Sequence, residues 1–193
     1  MSTIDSLPVA VIGAGPVGLA AAAHLVRAGQ PFVVIEAAQH PGGNVRAWGH
    51  VRTFSDWAFN IDAAARELLL EAGWDAPEPR EHPTGQEIGE RYLEPLAALP
   101  QIGPHLRLGT RVQGISREGL DRMKSVGRES APFVLDVVGS EGAATIRARA
   151  VIDASGTFAT PNPLGANGLE VPGEAEAWES IFYGIPDVTG AHR

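Results

Sequence analysis

The sequence predicts an α/β fold in three layers, a parallel sheet with packed helices and a small antiparallel β-meander. Three observations lead there. A short β-branched run at residues 9–12, "VAVI", passes through a glycine-rich turn into an alanine- and leucine-rich stretch over residues 17–28. A second apolar run, "FVVIE", follows at once, so strand, helix and strand succeed one another as a parallel pair requires. Much later "FVLDVV" and "TIRARAVIDAS" flank "GSEGAA". There Ile146, Ala148 and Ala150 alternate with Arg147 and Arg149, the pattern of an antiparallel hairpin with one wet face.

The first strand and helix lie in a stretch, residues 9–26, that holds no Asp, Glu, Lys or Arg. Its length reaches the lower edge of a membrane-spanning helix. Gly13, Gly15, Pro16 and Gly18 argue against that reading, because each glycine costs a helix interior about 1 kcal/mol and a proline about 3 kcal/mol. The residues ahead include Asp5 but no Lys or Arg, so the basic flank of a secretion signal is missing too. Strand, turn and helix remain, with Pro8 before the strand and Gly29 stopping the helix.

The turn "GAGPVG" has the spacing GxGxxG. Gly13 permits a tight turn, Gly15 lets a pyrophosphate approach the backbone with Pro16 beside it as a further cofactor-binding candidate, and Gly18 lets helix and strand pack closely. Free N–H groups at the helix N-terminus then meet the phosphates, where aligned peptide dipoles act as about half a positive charge. Glu36 ends the second strand about 20 residues beyond the loop, where an acidic side chain accepts hydrogen bonds from the adenosine ribose hydroxyls. It would repel a 2′-phosphate, so FAD and NAD both fit this first site and NADP fits poorly.

Composition narrows the function classes. At 193 residues the chain can bury a sizeable core, and 44% hydrophobic with 20% charged residues is ordinary for a folded soluble domain. A formal net charge of −8 with no basic cluster makes nucleic acid and anionic membrane unsuitable partners. Cysteine is absent, which removes disulfides, thiolate metal sites and cysteine nucleophiles from these residues, and a cytoplasmic location is expected.

The middle of the chain holds packing signals. Residues 60–74 have helical apolar spacing, and "TGQEIGERYLEPLAAL" opens with Thr84 and Glu87 in capping-box spacing before Pro95, which should bend or end the helix. "HLRLGTRVQGISR" suggests a short parallel strand followed by another strand, and residues 121–130 read as a polar connector. His24, His40, His50, His82, His105 and His192 have no paired carboxylate at metal-ligand spacing, so no metal site is expected and no catalytic residue is assigned.

Gly42 and Gly43 follow the second strand, and Asp153, Ala154, Ser155 and Gly156 end a later apolar strand. With GxGxxG and Glu36, this set resembles the two-dinucleotide-binding-domain flavoproteins over roughly residues 9–173. "PGGNVRAWGH" and "GTFATPNPLGANGLEVPG" look most like the flavin-containing monooxygenase branch. The resemblance implies that Gly13, Gly15, Gly18 and Glu36 contact the FAD pyrophosphate and adenosine ribose. It also implies that Gly42, Gly43 and Arg46 line the pyrophosphate and flavin side, and that Ala154, Ser155 and Gly156 form the crossover.

The organisation it implies is an FAD-binding Rossmann-like domain over residues 1–160, with the meander at about 106–150. Residues 161–193 would cross toward an NADPH-binding domain that this chain does not contain. The family's longer members return to complete the sheet, so the chain is expected to be an N-terminal portion with an exposed sheet edge and weak activity on its own. The activity implied is FAD-dependent, NAD(P)H-consuming oxidation of a small molecule by a monooxygenase. A thioredoxin-reductase-like electron carrier, or a non-catalytic NAD- or FAD-binding module, is the alternative. Around Phe182 and Gly184 the monooxygenase fingerprint is out of register and its His is absent, which weighs against Baeyer–Villiger chemistry. His50 and Asp56 share the loop region after the glycine pair, and Trp48, Phe54, Trp57 and Phe59 could form either an aromatic wall beside a flavin or a plain hydrophobic cluster.

Overall fold

The computed structural model describes residues 4–193. Four parallel strands form the central sheet: β1 (Val9–Ile12), β2 (Phe32–Ile35), β3 (Leu106–Arg107) and β7 (Ala150–Asp153), in the order β3-β2-β1-β7. Between β3 and β7 the chain makes a separate antiparallel sheet from β4 (Arg111–Arg117), β5 (Phe133–Gly139) and β6 (Gly142–Ala148), in that order. The meander therefore begins at β4, while the expected early boundary near residue 106 falls on a strand of the parallel sheet.

The third layer explains why the first strand has no polar residue. Val9 and Val11 face a core shared with the helices, among them Leu19, Ala22 and Ala23 of α1 (Pro16–Arg27). Ala10 faces the opposite way, into a cluster with Val33, Ile35 and the meander residues Leu135, Val137 and Ala148. A strand covered on both faces needs apolar side chains at every position. Helix α1 stops as its sequence predicts. Gly29 takes φ +62°, its N–H donates to the Val26 carbonyl, and Gln30 N–H donates to that of Leu25, closing a Schellman turn.

Two short helices, α2 (Gly43–Ala47) and α3 (Trp57–Asn60), precede α4 (Ala63–Glu71). Helix α4 is shorter than the 60–74 pattern because Asp62 caps it, accepting from Ala65 N–H at 3.0 Å, while Gly73 at φ +79° ends it. Ion pairs from Arg27 to Glu67 and Glu71, and a 3.2 Å contact from His24 to Asp62, tie α4 to α1.

The next helical run comprises α5 (Gly85–Ile88), a π turn (Gly89–Leu93) and α6 (Glu94–Ala97). Its capping box is formed: Glu87 N–H donates to Thr84 Oγ1 at 3.1 Å, and Thr84 N–H donates to Glu87 Oε2 at 2.7 Å. Pro95 does not end the helical run: it lies in the first turn of α6, directly after the π turn. It has no N–H for the Arg91 carbonyl one turn back, and the indole N–H of Trp74 donates there at 2.9 Å.

Beyond β7 the chain runs without a strand. A 3₁₀ turn at Trp178–Ser180 is its one helical element among the described residues. Buried Glu174 organises it, with Oε1 accepting from Leu164 N–H at 2.9 Å and Tyr183 O–H at 2.5 Å, and Oε2 accepting from Val171 N–H at 2.9 Å. The parallel sheet leaves β7 paired to β1 alone, so its outer edge is open among the described residues. No helix among the described residues is long and apolar enough to cross a membrane.

Candidate dinucleotide-binding cleft

A cleft of about 900 Å³ opens at the C-terminal ends of β2, β1 and β7. Its position follows from topology, since β1 is flanked by β2 on one side and β7 on the other. That reversal of strand order leaves a crevice where α/β sheets bind ligands.

The three glycines of GxGxxG have separable tasks here. Gly13 sits at φ +97°, and a Cβ on it would lie 2.6 Å from the Ala154 carbonyl oxygen. At Gly18 a Cβ would lie 1.9 Å from the Gly13 carbonyl oxygen. Both are required by the fold itself. Gly15 differs: a Cβ there would meet no protein atom within 4 Å, although the residue lines the cleft beside Pro16. Its missing side chain leaves room in the cleft, not in the core, which is what close approach of a ligand to backbone demands.

Glu36 is bound to this loop. Its Oε2 accepts from Ala14 N–H at 2.7 Å and its Oε1 from Ala38 N–H at 2.8 Å. A carboxylate has about four lone-pair sites, so two bonds fix its orientation and leave capacity for ribose hydroxyls. The second glycine pair closes the near wall. Gly42 takes φ +71°, donates its N–H to the Ala14 carbonyl at 2.9 Å, and leaves space that Leu93 Cδ1 fills. A Cβ on Gly43 would stand 2.6 Å from that of Ala38.

Of the residues expected at a nucleotide site, Gly13, Gly15, Pro16, Glu36, Gly42, Gly43, Ala154, Ser155 and Gly156 line this one cleft. Gly18 lies beneath it as a packing residue. Arg46 is directed elsewhere: its Nη2 donates to Glu94 Oε1 at 2.5 Å and its Nε to the Pro41 carbonyl at 3.3 Å, with the guanidinium packed where Gly89 has no side chain. It braces the glycine pair against the helical run.

The aromatic wall does not form. Trp57 is buried, Trp48 packs against the same core, and Phe54 and Phe59 project into solvent at 98% and 83% exposure. Asp56 caps α3 by accepting from Phe59 N–H at 3.1 Å, and neither it nor His50 lines the cleft. Among the described residues no group of three or more His, Asp or Glu side chains is placed to hold a metal.

Sequence reasoning missed two parts of the site. The far wall is residues 110–115 of β4 and the turn before it, held there because Thr110 N–H donates to the Glu36 carbonyl at 2.8 Å. Only a parallel β3 directly before β4 hints at this, because it returns the chain to the C-terminal edge of β2. Asn44 is the other: its side-chain amide donates to the Ser155 carbonyl at 3.3 Å and bridges the two rims.

Residues 11–70 match the family described as an NAD(P)-binding Rossmann-like domain. No curated protein matches the chain by sequence. Among solved structures, the chain is similar to a bacillithiol disulfide reductase from Bacillus cereus, with 21% identity and a TM-score of 0.61 over 87% of this chain and 44% of that one. A flavin-containing monooxygenase from Stenotrophomonas maltophilia gives 27% identity and a TM-score of 0.54 over 78% of this chain and 38% of that one. A steroid monooxygenase bound to NADP gives 25% identity and a TM-score of 0.57 over 78% and 26%. The chain thus spans less than half the length of each of these structures.

Proposed function

We propose that the chain is the FAD-binding part of an NAD(P)H-dependent flavoprotein oxidoreductase, a monooxygenase acting on a small molecule. The observation that carries this is the convergence of "GAGPVG", Glu36, Gly42-Gly43 and "ASG" on one cleft, with Gly15 open to the ligand side alone. The residues fit a dinucleotide. Backbone N–H groups at the start of α1 meet the diphosphate, Glu36 takes the adenosine ribose, and Gly42 and Gly43 let the rest of the ligand pass close to the chain. NADPH belongs on a further domain, since Glu36 repels a 2′-phosphate at this site.

Bound FAD would supply the two-electron redox chemistry, and the protein contributes position and electrostatics. A hydrogen bond from Ala14 N–H ties the Gly13–Gly15 loop to Glu36, so the proposed phosphate and ribose sites are preset relative to each other. The likeness to the flavin-containing monooxygenase from Stenotrophomonas maltophilia, at 27% identity against 21% for the disulfide reductase, supports the monooxygenase reading over electron transfer to a dithiol. A cytoplasmic location suits a chain without cysteine.

Titrating the purified chain with FAD, NAD and NADP tests the binding half. The expected result is quenched flavin fluorescence on FAD binding, with NADP weakest at this site; failure to bind any of the three overturns the reading. For an FAD-loaded protein that carries this chain together with the NADPH-binding domain, NADPH consumption matched by O₂ uptake and an oxygenated product supports monooxygenation. Disulfide reduction without O₂ uptake overturns it.

A further inference from the structure

Among the described residues, Asp153 is the one acidic residue besides Glu36 that lines the cleft. Its place is set by strand register. Ile12, the last residue of β1, lies opposite Ile35 on one side and opposite Asp153 on the other. Glu36 follows Ile35 directly, so the glycine loop emerges between two strand-end carboxylates. With adjacent strands about 4.8 Å apart, β2 and β7 stand about 10 Å from one another across that loop.

The Asp153 side chain is held by one oxygen only. Its Oδ1 accepts from Ser155 N–H at 3.1 Å and from Ser155 O–H at 2.7 Å. Its Oδ2 has no partner among the described residues. These bonds from Ser155 keep the carboxyl below the usual carboxylate range, so at neutral pH it is an acceptor and never a donor. A phosphate cannot satisfy such a group. A hydroxyl can.

We propose that Asp153 accepts hydrogen bonds from the second polyol of a bound dinucleotide, the sugar or sugar alcohol across the diphosphate from adenosine. The inference rests on the dinucleotide reading and extends it: Glu36 holds one sugar, the glycine loop the diphosphate, and Asp153 the other sugar. Ser155 acts as a positioning residue that holds Oδ1 and leaves Oδ2 free for the ligand.

Equilibrium binding of ADP, ADP-ribose and FAD to the purified chain tests this, because ADP ends at the diphosphate and the other two carry a second polyol. Asp153→Ala is expected to weaken ADP-ribose and FAD about tenfold or more, the size of a charge-assisted hydrogen bond, and to leave ADP unchanged or slightly tighter. Asp153→Asn keeps an acceptor for Ser155 and loses the charge, so it should fall between, at a melting temperature like the parent's. Glu36→Ala should weaken all three ligands. An equal loss for ADP and FAD in Asp153→Ala, or no loss for either, overturns the assignment. A parent chain that binds none of the three overturns the dinucleotide reading itself, which the variant data alone do not touch.

Discussion

Gly18 lies so close to Gly13 that a Cβ added to it would stand 1.9 Å from the Gly13 carbonyl oxygen, whereas one added to Gly15 would meet no protein atom. The contrast separates a packing glycine from a cleft-facing one within one loop. Gly18→Ala forces backbone apart in a packed interior and should destabilise the fold by about 3 kcal/mol or more in chemical denaturation. Gly15→Ala should leave the fold within about 1 kcal/mol of the parent, since its φ of −79° suits alanine. The same change should weaken FAD about tenfold or more. An equal stability loss for both variants would show that Gly15 has no ligand-directed role.

In the proposed site the charge of Glu36 would discriminate at the ribose. Replacing it with Gln keeps the size and one acceptor oxygen but sets an NH₂ against one of the two backbone donors, Ala14 or Ala38. Glu36→Gln should therefore bind FAD and NAD about tenfold more weakly, while its NADP affinity should hold or rise. Calorimetric titration of the three ligands measures that change in rank.

The segment after β7 should loosen in acid. Hydrogen bonding from Tyr183, aided by the Val171 and Leu164 amides, lowers the Glu174 pKa from its ordinary 4.5, and the same bond pushes Tyr183 up to about 12. A carboxyl with a lowered folded pKa contributes stability above its unfolded value and loses it as pH falls through the folded one. Proteolysis and amide exchange within residues 164–183 should therefore rise as pH drops below 4.5, before the sheet opens. Tyr183→Phe should show the same loosening at neutral pH.

Trp74 supplies the donor that Pro95 withholds from the Arg91 carbonyl. Trp74→Phe keeps a ring in place and deletes that donor, so it should cost about 1 kcal/mol in urea denaturation. Adding Pro95→Ala restores a backbone N–H within reach of Arg91, and the cost of the tryptophan change should then shrink. Additive losses in the double variant would show that the two residues do not share the carbonyl.

Local signals in the sequence were the ones that could be read in advance. The strand–loop–helix–strand unit, the Schellman stop at Gly29 and the Thr84–Glu87 box depend on neighbours a few residues apart, so composition and spacing carry them. Arg46 shows the limit: it follows the glycine pair closely, yet its direction is decided by Glu94 and by the space over Gly89, both distant in the chain. The β4 wall was invisible for a related reason. Backbone and alternating polar residues line the cleft there, and nothing in "TRVQGI" distinguishes a strand facing a ligand from one facing water. The four aromatics after the glycine pair were ambiguous because hydrophobicity fixes burial in the mean and does not say which ring the fold leaves outside.

The bridge from Asn44 to Ser155 joins residues 111 positions apart, and Thr110 clasps Glu36 from a third region of the chain. The cleft is therefore complete only when distant segments close on it: the meander wall and the strand end join the glycine loop and glycine pair through contacts far apart in sequence, which are entropically costly to form. A nucleotide that recognises all four will bind the finished fold and no earlier species. Ligand saturation then becomes a measure of how much of the chain has reached its native topology, and raising ligand concentration draws the folding equilibrium toward completion.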